Sequence, residues 1–126
     1  MARKLPPSAY VVPVPSTAGR RSVVNVFGTP RAREWEVPDG GSEVGKKAAE
    51  LQHEIARQLR DTILLSEWGS LAEFARQHES VSYDRLRGVL SGDIWMRFED
   101  IVEISTLLDL RANVTFMAQD AEVDPG

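Results

Sequence analysis

Residues 70–92 read SLAEFARQHESVSYDRLRGVLSG, and they hold two helix starts twelve residues apart. Ser70-Leu71-Ala72-Glu73 has the Ser-x-x-Glu form of a capping box, in which each side chain accepts a hydrogen bond from the other residue's backbone N–H. Leu71, Phe74 and Ala75 give an apolar face to a short helix from Leu71 to about His78. Ser80-Val81-Ser82 interrupts it, and Ser82 is the next cap. Tyr83–Leu90 then reads as another short helix with Leu86, Val89 and Leu90 inward, closed by the turn Ser91-Gly92-Asp93.

Upstream, Asp39-Gly40-Gly41-Ser42 is a linker ending in a cap. Val44, Ala48, Leu51, Ile55, Leu59 and Ile63 then recur at spacings of three and four, predicting one helix of about 22 residues with this stripe inward. It should end near Glu67-Trp68-Gly69. Downstream, Phe98, Ile101, Val102, Ile104, Leu107 and Leu108 predict a helix from about Arg97 to Leu108. A last short turn or helix is expected at Val114–Ala118, and the acidic stretch 119–126 reads as a flexible tail.

Residues 1–41 differ in kind. They carry six of the seven prolines, and six basic against three acidic side chains; the remainder carries nine basic against sixteen acidic. Residues 1–20 read as an extended arm. Arg21–Phe27 and Arg33–Val37 are β-prone and flank the turn signal Gly28-Thr29-Pro30-Arg31, so this third reads as a small β-hairpin or as a disordered arm. The expected architecture is therefore mainly α: a basic Pro-rich arm over 1–41, a compact domain of four to five helices over 42–118 and the tail.

Composition bounds the chemistry. The chain has 126 residues, 42% hydrophobic and 27% charged, with a formal net charge of −4. That suits one small domain and excludes a uniformly basic coat for nucleic acid. With no cysteine, disulfides and thiolate zinc sites are excluded. His53 and His78 lack metal-ligand spacing and read as surface residues. No Gly-rich phosphate loop, no Ser/His/Asp order and no paired carboxylates stand out, so neither an enzyme nor a cofactor is expected. The absence of a membrane span or signal-peptide core points to a cytoplasmic protein.

Within this frame, residues 55–110 resemble the lambda-repressor-like (Xre-type) helix-turn-helix family. Phe74-Ala75 stands where the family has a Leu-Ala pair. Val81-Ser82 matches the opening of its recognition helix, Leu86 and Val89 the inward positions, and Gly92 the closing glycine. Five residues then lead to Phe98, and Ile101–Leu110 fits the closing apolar run. Two departures stand out: the turn lacks the usual glycine, with Glu79-Ser80 in its region, and it is one residue longer than usual.

The resemblance implies sequence-specific binding of double-stranded DNA. The major groove, about 12 Å wide, admits one helix whose first residues meet base edges. The corresponding positions are Ser82, Tyr83, Asp84, Arg85 and Arg87, with the arginines suited to guanine N7 and O6. Ser70 and Arg97 would flank the phosphate backbone. Each has a plainer reading: Asp84 as an acid favouring its helix dipole, Tyr83 as cover for a core edge, the arginines as solvated surface. Trp68 and Trp95 read as packing. Because basic and acidic groups balance between Leu71 and Arg97, one monomer should bind weakly, so a homodimer is expected, joined through the first helix or the N-terminal hairpin. The resulting expectation is a dimeric repressor; the alternative is a protein-interaction or antitoxin-like module, with a regulatory protein partner and no DNA.

Overall fold

The computed structural model describes residues 5–16 and 23–118. The protein is mainly helical: α1 (Glu43–Leu64), α2 (Leu71–Gln77), α3 (Tyr83–Ser91) and α4 (Phe98–Leu107), with the two-residue antiparallel strands β1 (Val14–Pro15) and β2 (Val23–Val24). The residues expected to form the acidic tail lie outside the described segments. Among the described residues, no helix is long and apolar enough to cross a membrane.

Helices α1, α2 and α3 begin where the sequence places a serine cap. Ser42 Oγ accepts from Gly45 N at 2.9 Å, Ser70 Oγ from Glu73 N at 3.1 Å and Ser82 Oγ from Arg85 N at 3.3 Å, each satisfying a donor that has no partner inside its helix. The capping box at Ser70 is half made: the Glu73 carboxylate turns outward to Arg76 and Gln77 instead of back to Ser70 N. α1 stops at Leu64, short of the expected end. Ser66 Oγ donates to Ile63 O at 2.6 Å and accepts from Trp68 N at 3.2 Å, so a serine turn replaces the last helical bonds. No helix forms at 114–118; residues 111–118 are irregular and exposed, so the described residues hold four α-helices.

The buried face of α1 is not the predicted stripe. Leu59 and Ile63 face inward as expected, but Val44 and Leu51 are 79% and 63% exposed, while Ala49, Gln52, His53 and Ala56 are buried. The face turns because two polar side chains satisfy backbone groups inside. Gln52 Nε2 donates to Val89 O at 2.9 Å and to Ile94 O at 3.0 Å, and its Oε1 accepts from Met96 N at 2.8 Å. His53 Nδ1 accepts from Gly28 N at 2.8 Å. Every polar atom of the Gln52 amide oxygen and nitrogen is thus used, which makes burial affordable.

The N-terminal third is ordered over its described residues and completes the core. The turn forms at 28–31, but its flanks, over their described residues, do not pair with each other. Val24 and Val23 pair with Val14 and Pro15, while Trp35 bridges to Val11, with Val12 N donating to Glu34 O and Glu36 N to Tyr10 O, each at 2.9 Å. Val11, Val26 and Phe27 thereby join Ala56, Phe74, Leu86, Leu90 and Ile104 in one cluster. Glycine is required at both ends of this packing. Gly28, at φ +75°, would place a Cβ 2.4 Å from Leu90 O, and Gly92, at φ +80°, would place one 2.7 Å from the Phe27 ring.

Candidate nucleic-acid interface

α2 and α3 are joined by residues 78–82, and Val81 is buried between them. Phe74 and Ala75 of α2 and Leu86, Val89 and Leu90 of α3 meet in the core, so the two helices are held as one unit. Trp68, in the connection between α1 and α2, packs on this unit: its ring lies edge-on to Phe74 at 5.0 Å and to His78 at 5.2 Å. His78, expected at the surface, is half-buried in this cluster and its Nδ1 donates to Phe74 O at 2.7 Å. Trp95 also packs, its Nε1 donating to Leu5 O at 2.7 Å. His53 is likewise not a surface residue: its ring sits among Phe27 and Trp35, at 5.6 and 5.2 Å. Burial lowers its pKa, with Glu54 opposing and Arg57 adding to the shift.

The far end of α3 is closed by the rest of the fold. Asn25 Nδ2 donates to Ser91 O and Ser8 N to Gly92 O, each at 2.9 Å. These bonds satisfy carbonyls at the C-terminal end of the helix. The N-terminal half of α3 therefore projects while its C-terminal half is anchored.

On that projecting half, Ser82, Tyr83, Asp84 and Arg87 are exposed together. Ser82 is occupied as the cap, and Asp84 lies in the first turn, where an acid favours the dipole. Arg87 makes no ion pair among the described residues. Arg85 points elsewhere. Its Nε donates to Asp100 Oδ1 at 2.9 Å and its Nη2 to Asp100 Oδ2 at 2.6 Å, a two-point pair between α3 and α4. Arg97 N donates to Asp100 Oδ2 at 2.8 Å, and the Arg97 guanidinium stands 3.5 Å from Oδ1. Asp100 is 5% exposed; burial opposes its ionisation, but the bonds from Arg85 and Arg97 hold its pKa down to about 2.

Of the sequence-predicted site residues, the structure thus gathers Ser82, Tyr83, Asp84 and Arg87 on one face. It ties Arg85 and Arg97 to a single carboxylate and uses the half-buried Ser70 as the α2 cap. Asp100 is the organising residue, and sequence reasoning did not single it out. Its signal was an acid three residues after the cap residue of α4, in the position that accepts from the cap residue's N–H. Among the described residues, no three His, Asp or Glu side chains gather as metal ligands. Comparison with family models, curated proteins and solved structures finds no match for this chain.

Proposed function

We propose that this chain is a binding protein, not an enzyme: a sequence-specific DNA-binding regulator of the helix-turn-helix type, acting as a dimeric repressor with α3 in the major groove. The observation that carries the proposal is the exposed N-terminal half of α3, bearing Ser82, Tyr83, Asp84 and Arg87, on a helix fixed underneath by Arg85–Asp100 and packed against α2. A reading helix needs this combination of free base-facing positions and a fixed orientation. The lambda-repressor-like resemblance of residues 55–110 supports the same assignment.

In this reading Arg87 pairs with guanine O6 and N7, and Tyr83 and Asp84 contact neighbouring base or phosphate groups. Arg85 acts as a strut, and Arg97 flanks the phosphate backbone from the start of α4. Among the described basic residues from α2 to the start of α4, Arg87 and the partly engaged Arg97 are left for cationic contact, because Arg76 is paired with Glu73 and Arg85 with Asp100. Two copies on one duplex would double these contacts, which is why the proposal includes a dimer.

The test is binding to mixed genomic duplexes at rising salt. The expected result is binding whose affinity falls steeply with salt, and a palindromic site when bound duplexes are selected from a random pool. Absence of salt-sensitive binding at micromolar protein overturns the proposal. A second reading, a protein-interaction module without DNA, draws on Phe98 and Val102, which α4 leaves 84% and 59% exposed.

A further inference from the structure

Three positions of the periodic stripe on α1 lie outside the core, and a fourth, Ile55, packs on its edge. Val44 and Leu51 are 79% and 63% exposed, Ala48 is exposed and Ile55 is half-buried. They follow one another at spacings of four, three and four, the spacing of a coiled-coil seam, over about 16 Å of helix. Beside the first two lies a hollow of about 370 Å³, walled by Leu5, Tyr10, Val44, Ala48 and Trp95. An apolar seam of this kind next to an apolar hollow needs an occupant.

We infer that the occupant is α1 of a second copy, lying antiparallel along the seam. Charge selects this partner and this direction. Lys47 and Glu54 are exposed on the same side of the seam, at the flanking positions that set pairing in coiled coils. A two-fold axis near residues 49 and 50 brings Lys47 against the partner's Glu54, and Glu54 against the partner's Lys47. The same axis sets Val44 against the partner's Ile55 and Ala48 against the partner's Leu51. The leucine then enters the hollow beside Ala48 and Tyr10. A parallel arrangement would instead set Lys47 against the partner's Gln52 and Glu54 against the partner's Leu59, residues buried in their own core, and leave both charges without a counterpart. Among the described residues Lys47 makes no ion pair within its own chain, and the one neighbour of the Glu54 carboxylate is His53 Nε2 at 3.8 Å. The contact is self-complementary, as a closed two-fold interface must be. With four apolar positions per helix it is small, so association in the micromolar range is expected.

This association does not depend on the DNA reading and is measured without DNA. Sedimentation velocity of the full chain, from micromolar to sub-millimolar concentration, should show a reversible monomer–dimer equilibrium. Leu51→Glu should raise the dissociation constant at least about tenfold, with the unfolding temperature unchanged at concentrations low enough that both proteins are monomeric, since the side chain is exposed in the monomer. Lys47→Glu and Glu54→Lys should each weaken the dimer, and the double exchange should restore it. A monomer throughout the range, a dimer indifferent to Leu51→Glu, or a double exchange without recovery overturns the inference.

Discussion

Asp100 of α4 receives two nitrogens of Arg85 from α3, at 2.9 and 2.6 Å, and this pair is the direct polar tie between the candidate reading helix and the helix behind it. Burying a carboxylate is costly unless its oxygens are met by donors, and here both are. Removing either partner leaves the other without its counterpart in a partly closed site.

Asp100→Asn should therefore lower stability at neutral pH by about 2 kcal/mol. The native carboxyl titrates at about 2, against an ordinary 3.8. A depressed acid contributes stability above its unfolded pKa and loses it as pH falls through the folded one. Urea midpoints of the wild type should drop between about pH 4 and 2, and the variant should lack that component.

Arg85→Ala and Arg87→Ala should separate cleanly. Arg85→Ala removes the tie to α4, so it should lower the unfolding temperature and weaken binding to all duplexes alike. Arg87→Ala touches no partner among the described residues, so its unfolding temperature should stay unchanged while sequence preference relaxes at one position, by about 1–3 kcal/mol of discrimination. Thermal melts beside site selection distinguish the two patterns. An unchanged preference in Arg87→Ala would remove it as a base reader.

His53 should give the fold a second pH dependence. Its Nδ1 accepts from Gly28 N, and burial depresses its pKa below 6.5, the moderating effect of Glu54 notwithstanding. The unfolded chain binds the proton more readily, so stability is full above pH 6.5 and declines as pH falls below it. His53→Asn should flatten this part of the profile and lower stability at pH 7 by about 1–2 kcal/mol through lost packing on Phe27 and Trp35. Fluorescence-monitored unfolding at a series of pH values reads both effects.

Gly28→Ala should be far more damaging than Gly40→Ala. Both positions have positive φ, but a Cβ at Gly28 meets Leu90 O at 2.4 Å, whereas one at Gly40 has nothing within 4 Å. Backbone strain alone costs about 1 kcal/mol; the collision should bring the loss at Gly28 to about 3 kcal/mol or more. Denaturant midpoints for the two variants test the difference.

The helices were legible from their ends. Ser42, Ser70 and Ser82 mark three starts, and Gly92 marks the end of α3, because capping is chemistry between near neighbours. The buried face of α1 was not legible, because hydrophobic periodicity cannot foresee Gln52 and His53 being buried by bonds to residues 25 to 44 positions away. The N-terminal pairing failed for the same reason: turn chemistry located residues 28–31 correctly, but the flanks found partners at 11–15. In the candidate site, the exposed half of α3 followed from its apolar pattern. Arg85 looked like Arg87 until its partner, fifteen residues on, was placed beside it.

The closure of α3 by the N-terminal segment has a consequence for how the chain reaches this state. Trp95 holds Leu5 across 90 residues, and Asn25 holds Ser91 across 66. This segment precedes α1 in the chain, but its partners Ser91, Gly92 and Trp95 follow α1 and α2, so it can seat only once they are in place. Such contacts of high sequence separation slow folding, and until they form the end of α3 frays with unmet carbonyls. Displacing residues 5–16 and 23–27 should thus impair a helix more than fifty residues downstream, so that this segment acts as a keystone for a distant part of its own chain.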